Sequence, residues 1–413
     1  MTPSPVRRTG PPPESYRGHV KLRAAGVLLL LGAGYLAFNY FIRPIPAVPA
    51  TGAVATSTTT SGTAPTLPWP STGSAAVAVS SLGFIASSGN EKPVPAASVA
   101  KVMTALVVIE DKPLKKGEDG PTIVITDADV QAYQADNAAK QSVVEVRAGE
   151  QLTELQALQA LLIPSGNNIA FTLANWDAGS TTAFIAKLNK RGKELGMSHT
   201  KFADAAGASD QTVSTPTDLV TLGMKAMNQD VLAQIVATSD TKLPVAGTVY
   251  NVDYALGQNG IIGIKTGSGF GANFLFAASI TLSGFTKTIF GCVMGLPTLD
   301  AAFAAAKALI DAMTPQLHIV RVLSKYVAVG SYELPWGGRS DLLSTANVDL
   351  VEWPGMILRQ SVRAPALTIK NAIPRGTNEG ALNMVLGDYN VDVPLTTSDA
   401  IYPPGRFWRL TRI

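Results

Sequence analysis

An apolar run near the start of the sequence, residues 24–42, constrains this chain more than any other feature. Its polar side chains are those of Asn39 and two tyrosines. Because a helix rises about 1.5 Å per residue, the run spans most of a bilayer's hydrocarbon thickness. Five basic residues precede it and only Arg43 follows closely. The more positively charged flank of a membrane segment usually remains in the cytoplasm. We therefore expect a cytoplasmic basic N-terminus over 1–23 and a transmembrane anchor over 24–42, with the rest of the chain outside the cytoplasm. The preceding basic residues are Arg7, Arg8, Arg17, Lys21 and Arg23.

A cleaved signal peptide is the alternative interpretation of this run, because the small residues of 47–50 are typical of a cleavage region. The run is longer than a usual signal-peptide core, which favours an uncleaved anchor. Residues 43–72 are rich in Pro, Thr, Ser and Ala, and 56–60 are all hydroxylated. Such a segment carries too little apolar surface to order itself. We therefore expect an extended, flexible tether that lets a folded domain reach some distance from the membrane.

The rest of the 413-residue chain is long enough for two folded units. Residues 73–314 mix helical and strand-like patterns, with the strands late and the helices in the middle, which predicts an α+β domain with helices packed on an antiparallel sheet. After Pro315, short β-type runs separated by Gly and Pro predict a small all-β domain over 315–413. The expected helices lie at 99–109, 152–163 and 182–195, and the expected strands at 274–280, 287–294, 325–329 and 366–370.

Composition excludes several classes of function. The net charge is only +3, and the densest positive run precedes the apolar segment, so no nucleic-acid partner is expected. Cys292 is the one cysteine, which rules out an intrachain disulfide and a multi-cysteine zinc site. The histidines show no ligand spacing and offer no good candidate for a Ser-His-Asp triad. We expect neither a metal nor a cofactor. The three histidines are His19, His199 and His318.

The first candidate motif is Ser98 with Lys101, at the start of a helical run. Serine is common near a helix start as a cap, but capping does not explain Lys101. Positions i and i+3 share a helix face, so the lysine can approach the serine hydroxyl. A lysine desolvated among apolar neighbours can have its pKa lowered enough to act as a base, which activates the serine as a nucleophile. This spacing alone occurs by chance in many proteins.

The second motif is Ser165 with Asn167, where a helical run breaks at Pro164 and Gly166. These residues are common in ordinary turns. On a loop facing a cleft, Ser165 would relay a proton and Asn167 would hydrogen-bond a substrate amide.

The third motif, 265–268, follows an apolar segment that we place on a strand edge. Lys265 offers positive charge, Thr266 and Ser268 offer hydroxyls for an anionic carboxylate, and Gly267 permits close approach of a substrate backbone. An edge lysine that discourages aggregation is the simpler interpretation. The order of the three motifs favours a shared site, since room remains for helices between the first two and strands before the last.

With these motifs in this order, the chain resembles the penicillin-recognising serine enzymes, which carry Ser-x-x-Lys and Lys-Thr-Gly signatures with a Ser-x-Asn element between them. It is most similar to the low-molecular-mass D-alanyl-D-alanine carboxypeptidases, over roughly 75–313. The resemblance implies a β-lactamase/transpeptidase-like catalytic domain with a helical subdomain. The apolar run at 24–42, and not the resemblance, predicts a single-pass protein of the bacterial cell membrane. The matching blocks are 95–106, 161–168, 184–189, 194–197, 200–202, 214–219 and 263–268.

The resemblance also implies a mechanism. Ser98, deprotonated by Lys101, attacks the carbonyl between the two terminal D-alanines of a peptidoglycan stem peptide, and water later releases the acyl-enzyme. Ser165 passes the proton to the leaving amine and Asn167 holds the peptide. The backbone N–H groups of Ser98 and Ser268 form the oxyanion hole. β-Lactams mimic this substrate and should acylate the same serine. The terminal carboxylate is bound by Lys265, Thr266 and Ser268.

Three alternatives use the same motifs. A DD-endopeptidase acting on peptidoglycan cross-links needs the same residues in the same roles. A class A β-lactamase needs a glutamate for deacylation, but Ile185 stands three residues before Leu188, where that glutamate is expected. A non-catalytic penicillin-binding sensor or wall-binding scaffold is disfavoured by the intact Lys101, Ser165 and Lys265. The sequence departs from the family in its N-terminal anchor and in the glycine-rich stretch 269–271, and it assigns no oligomeric state.

Overall fold

A single long helix, α1 (Glu14–Ala37), begins the part of the chain that this computed structural model describes, residues 14–89 and 91–412. It continues into one widened π-helical turn, Phe38–Ile42. The apolar stretch Gly18–Ile42 is long and apolar enough to cross a membrane, although a signal sequence passes the same test. The expected cytoplasmic residues Arg7 and Arg8 lie outside the described residues.

The larger folded unit is built on a five-stranded antiparallel sheet in the order β11-β12-β13-β3-β4. Its strands are β3 (Ser74–Val79), β4 (Gly83–Ser87), β11 (Ile261–Gly267), β12 (Ala272–Leu282) and β13 (Phe285–Leu296). Three short antiparallel pairs accompany it: β5 (Val94–Pro95) with β8 (Val213–Ser214), β6 (Thr122–Val124) with β7 (Gln151–Thr153), and β9 (Asp240–Leu243) with β10 (Gly247–Tyr250).

Helices cover both faces of this sheet. They are α2 (Lys101–Asp111), α3 (Asp127–Ala138), α4 (Glu154–Leu162), α5 (Asn167–Ala178), α6 (Thr181–Glu194), α7 (Pro216–Met227), α8 (Asp230–Val236) and α9 (Leu299–Met313). Successive residues of β12 point to opposite faces: Leu275 and Ala277 join the core around α2, while Phe274 and Phe276 join the core around α9. Burial on both sides explains why this strand is almost uniformly apolar. The expected α+β fold is confirmed.

Local sequence sets the helix boundaries near the motifs. Thr153 caps α4, accepting a hydrogen bond from the Gln156 N–H while the Gln156 side chain accepts one from the Thr153 N–H. Gly179, with φ +73°, ends α5 in the left-handed conformation that glycine adopts without strain. Together these signals limit two helices to the segments that flank Ser165.

The final part of the chain forms a β domain together with two short strands from residues 50–59. Its seven-stranded antiparallel sheet has the order β1-β15-β16-β20-β19-β18-β2, and a short helix follows it. The elements are β1 (Ala50–Gly52), β2 (Ser57–Thr59), β14 (His318–Leu323), β15 (Ala328–Glu333), β16 (Arg339–Ser344), β17 (Val348–Glu352), β18 (Ile357–Arg363), β19 (Asn378–Leu386), β20 (Tyr389–Thr397) and α10 (Arg406–Thr411), with β14 and β17 pairing separately.

Segment 43–72 differs from the flexible tether that the sequence predicts. β1 pairs with β15 and β2 pairs with β18, so this segment supplies both outer strands of the C-terminal sheet. Threonine-rich sequence suits a strand, and the two sheet edges offer unpaired backbone groups. The order of this segment therefore comes from the distant domain, which local composition does not reveal.

Two expected strands in the same domain are wrong in part. Tyr326 has φ +67°, so 325–327 forms a turn and β15 begins only at Ala328. In 366–370 the pairing is limited to a bridge between Leu367 and Val48. Both segments have the residue types of a strand but lack a neighbouring strand along their length.

Candidate active site

Ser98 lies in a tight 3₁₀ turn, Ala97–Ala100, that leads directly into α2. The preceding Ala97 has φ +48°, a sparsely populated conformation for a non-glycine residue. Asn273 on β12 holds the segment that leads into this turn, because its amide donates hydrogen bonds to the carbonyls of Pro95 (2.9 Å) and Ala96 (3.1 Å). The central sheet thus fixes the position of the turn that carries Ser98.

Lys101 begins α2, and its Nζ lies 2.6 Å from Ser98 Oγ. The lysine is fully buried, whereas Ser98 is half-buried. Burial lowers the pKa of Lys101 well below its usual value, and the charge of Lys265 lowers it further, while Asp204 and Asp136 oppose the shift. A lysine with a pKa lowered in this way is neutral more often than an exposed lysine. It can then accept the proton of the serine hydroxyl.

Ser165 approaches the same amine from another element. Its Oγ lies 3.4 Å from Lys101 Nζ, and its φ of +69° places it in the left-handed region. The chain around it is held by backbone hydrogen bonds from Gly166 N–H to the Ala160 carbonyl (3.1 Å) and from Asn167 N–H to the Ser142 carbonyl (2.8 Å). Lys101 therefore connects two serine hydroxyls from motifs 67 residues apart in sequence.

The adjacent asparagines 167 and 168 have different environments. Asn168 clamps the backbone of Val144, accepting from its N–H (3.0 Å) and donating to its carbonyl (2.9 Å). Asn167 donates to Gln141 Oε1 at 3.2 Å, but its own Oδ1 is buried without a hydrogen-bond partner. A buried amide oxygen usually has a partner. Asn167 Oδ1 therefore keeps an unused capacity to accept a hydrogen bond.

The third motif occupies the end of β11, which is an edge strand of the central sheet. Lys265 and Thr266 are buried and Ser268 is exposed. Gly267 packs against the turn that carries Ser98: a Cβ at this position would lie 3.0 Å from the Ala96 carbonyl oxygen and 3.3 Å from Ser98 N. A side chain at this position would therefore be crowded against the backbone of the Ser98 turn. The structure thus brings all three predicted motifs together.

Asp253 is an additional charged residue near this motif that sequence reasoning missed. Its backbone neighbour Val252 donates to the Ile163 carbonyl at 3.2 Å, which ties its loop to the segment before Ser165. Asp253 Oδ1 accepts from Ala255 N–H at 3.0 Å, while Oδ2 is buried without a hydrogen-bond partner.

Asp253 and Lys265 influence each other electrostatically. Burial lowers the pKa of Lys265 to about 7, and the Asp253 carboxylate opposes that shift. Burial raises the pKa of Asp253 to about 6, against backbone hydrogen bonds and the charge of Lys265. Near neutral pH the carboxylate thus favours the charged lysine. An acidic residue in a turn 12 positions before a lysine gave no usable sequence signal.

Comparison with known proteins identifies a matching family. The sequence model of the D-alanyl-D-alanine carboxypeptidase family matches residues 71–298, which include all three motifs. A D-alanyl-D-alanine carboxypeptidase from a Streptomyces species is 29% identical over 225 residues, covering 49% of this chain and 73% of the relative. A D-alanyl-D-alanine endopeptidase from Pseudomonas aeruginosa is 27% identical over 229 residues, covering 55% of this chain and 67% of the relative.

The fold has a known counterpart over a longer stretch. The crystal structure of penicillin binding protein 5 from Haemophilus influenzae superimposes with a TM-score of 0.59, covering 82% of this chain and 99% of that one. At 16% identity this similarity concerns the fold alone.

Proposed function

This chain belongs to the D-alanyl-D-alanine carboxypeptidase family and is a serine peptidase, and from that premise we propose that Ser98 is the nucleophile that removes the terminal D-alanine from peptidoglycan stem peptides. The observation that carries this proposal is the 2.6 Å contact between Ser98 Oγ and the buried Lys101 amine. A serine needs such a base to become an effective nucleophile.

In the proposed acylation, neutral Lys101 accepts the Ser98 proton as Oγ attacks the carbonyl between the two D-alanines. The negative charge on the carbonyl oxygen is stabilised by the backbone N–H groups of Ser98 and Ser268. Gly267 supports this arrangement because it allows β11 to approach the Ser98 turn closely. An oxyanion-hole donor typically contributes about 3 to 4 kcal/mol of transition-state stabilisation.

Departure of D-alanine requires a proton on its amine. Ser165, 3.4 Å from Lys101 Nζ, is positioned to relay the proton that Lys101 took from Ser98. The amine leaves, and water then attacks the acyl-enzyme with Lys101 again as the base. Asn167, through its open Oδ1, would bind an N–H group of the peptide during both steps.

The terminal carboxylate of the substrate would be bound by Lys265, Thr266 and Ser268. Lys265 supplies the positive charge, and the nearby Asp253 favours that charged form. An enzyme that cleaves before a free terminal residue can use such a cation to bind that carboxylate.

β-Lactams should acylate Ser98 and be released slowly. Hydrolysis at the rate of a class A β-lactamase is not expected, because Ile185 occupies the position where a deacylating glutamate is needed. Asn189 on the same helix is engaged structurally, since it donates to the carbonyls of Ile185 (2.9 Å) and Phe202 (2.7 Å).

For topology we propose that α1 is an uncleaved anchor with its N-terminus in the cytoplasm and the catalytic domain outside. The length and composition of Gly18–Ile42 support this arrangement, and a cleaved signal peptide is the alternative. Digestion of the catalytic domain by protease added to cells stripped of their outer layers would support it.

The activity test uses the purified full chain and a pentapeptide stem, with free D-alanine and the tetrapeptide measured by mass spectrometry. We expect both products from the wild type and neither from Ser98→Ala. A cross-linked stem-peptide dimer serves as the competing substrate, because a relative is a D-alanyl-D-alanine endopeptidase. Faster cleavage of the dimer than of the pentapeptide would replace the carboxypeptidase proposal with the endopeptidase one.

A further inference from the structure

The outer end of α1 is built into the folded domain through one buried polar residue. Asn39 lies in the π-helical turn and is fully buried, although Phe38, Phe41 and Ile42 in the same turn are exposed. Its side-chain amide donates to the backbone carbonyls of Leu410 (3.2 Å) and Arg412 (3.0 Å). A polar residue in an apolar helix is costly unless it is paired. Here its partners come from α10 and the residue just after it.

Arginines from the α10 segment satisfy the carbonyls at the end of the helix. Arg412 donates to the carbonyls of Asn39 (2.7 Å), Pro44 (2.9 Å) and Arg43. Arg409 donates to the Tyr40 carbonyl at 2.7 Å, and its guanidinium lies 4.6 Å from the centre of the Tyr40 ring. The last carbonyls of a helix lack intrahelical donors, and positive charge is favourable at that end. Arg43 Nη1 also donates to the Arg412 carbonyl at 3.1 Å. We call Asn39, Arg43, Arg409 and Arg412 the clasp.

The α10 segment is in turn fixed to the β domain. The rings of Trp408 and Trp336 meet edge to face, with centroids 5.3 Å apart. Trp336 Nε1 donates to the Tyr402 carbonyl at 3.0 Å. Together with β1 and β2, these contacts connect the end of α1 to the C-terminal sheet at several points. The resulting connection is not a free tether.

Three exposed apolar residues adjoin the clasp in sequence, and we call Phe41, Ile42 and Phe407 the apolar patch. Phe41, Ile42 and Phe407 are 79%, 70% and 80% exposed, and Arg406 is exposed beside Phe407. The first two residues continue the apolar helix, and the third belongs to α10. Large apolar side chains next to arginines match the boundary between lipid tails and headgroups, because aromatic rings are enriched at both membrane interfaces and the long arginine side chain can extend from apolar surroundings to the headgroups.

We propose that the clasp and this patch form a lipid-surface seat, which holds the catalytic domain at a fixed height and orientation on the membrane. This inference rests on the proposed membrane topology and not on the catalytic roles of Ser98 and Lys101. A seat of this kind limits the active site to substrates within a defined distance of the bilayer, whereas a free tether of 43–72 would let it range over the wall.

The test uses the full chain in vesicles that contain anionic lipid. Cys292 is fully buried, so an introduced surface cysteine takes an environment-sensitive fluorophore selectively. The dye is placed by Phe407→Cys, or by Tyr250→Cys on the catalytic unit, where the native side chain is 69% exposed. Quenching by headgroup-labelled lipids is measured at both sites. Fluorescent penicillin labelling of each preparation reports whether the catalytic site is folded.

We expect quenching at position 407 to exceed that at 250 at least threefold. Arg412→Ala should lower the quenching at 407 at least twofold, whereas Arg147→Ala, which removes the same charge from an exposed position on the catalytic unit, should leave it nearly unchanged. If Arg412→Ala fails to fold, Arg409→Ala removes a smaller part of the clasp. Equal quenching at the two sites, equal effects of the two arginine variants, or failure to float with vesicles would each overturn the proposal. Loss of penicillin labelling with quenching intact would instead contradict the proposed catalytic function.

Discussion

The amine of Lys101 and the hydroxyl of Ser98 lie 2.6 Å apart, and the lysine is completely buried. Burial makes the charged ammonium unfavourable, which is the condition under which a lysine can act as a base. The pair therefore combines the contact with the protonation state that proton transfer needs.

Removing the base should abolish most acylation. We expect Lys101→Ala and Lys101→Arg to lower kcat/KM for the pentapeptide by about 10²- to 10⁴-fold, because arginine keeps the charge but does not give up its proton. Lys187→Ala is the matched control, since this lysine forms ion pairs with Asp111 and Asp177 away from the site. If fluorescent penicillin acylates Lys101→Arg as fast as it acylates the wild type, the proposed role of Lys101 is contradicted.

Substrate binding should depend on the protonation of Lys265. Burial lowers the pKa of this lysine to about 7, so its charge, and with it carboxylate binding, declines as the pH rises through 7. We expect KM for the pentapeptide to rise over that range. Asp253→Asn removes the carboxylate that favours the charged form, so the rise should begin at lower pH. The exposed Asp210→Asn should keep the wild-type profile, and an identical profile for Asp253→Asn would exclude the coupling.

Replacement by alanine should affect stability at Asn168 and catalysis at Asn167. Asn168→Ala leaves both backbone groups of Val144 unpaired and should cost about 2 kcal/mol of unfolding free energy. Asn167→Ala should change stability little and raise KM or lower kcat, because its Oδ1 has no partner within the protein. Thermal unfolding and steady-state kinetics of both variants separate the two roles. Equal losses of stability would show that Asn167 is structural.

Much of this site could be predicted from the sequence because its residues follow short-range rules. Ser98 and Lys101 are one helical turn apart, and the break at Pro164 and Gly166 marks the loop that carries Ser165. The central strands 274–280 and 287–294 were also predictable, since most of their residues are apolar. In each case the local pattern and the tertiary structure favour the same conformation.

The features that could not be predicted depend on distant parts of the chain. In the sequence Asn273 is simply a polar residue at the start of an expected strand. Its hydrogen bond to the segment before Ser98 depends on the contact between β12 and the Ser98 turn in the folded structure. The tether prediction for 43–72 used composition alone, while β1 and β2 are ordered by sheet edges formed more than 250 residues later. Asn39 likewise gains its partners from α10.

The burial of Glu154 should make the free energy of unfolding depend on pH, independently of catalysis. It is fully buried, and neither carboxylate oxygen has a hydrogen-bond partner. Burial raises its pKa from 4.5 to about 7, opposed by Lys112 and reinforced by Asp177. The folded state therefore holds this proton more tightly than the unfolded state. The contribution of Glu154 to the free energy of unfolding is therefore fully present below pH 4.5 and is lost as the pH rises to about 7.

Glu154→Gln should remove that dependence. Relative to the variant, the wild type should lose on the order of 2 to 3 kcal/mol of unfolding free energy between pH 4.5 and 8. Urea unfolding of both proteins at the two pH values measures the difference. A wild-type minus variant difference that stays constant with pH would show that folding does not raise the pKa of Glu154.

The most direct test of the catalytic assignment is the site of covalent attachment. The full chain is incubated with penicillin, digested and analysed by mass spectrometry. We predict one adduct, on the peptide containing Ser98, that is absent from Ser98→Ala and nearly absent from Lys101→Ala. An adduct on another residue, or labelling that persists in Ser98→Ala, would contradict the assignment of Ser98 as the nucleophile.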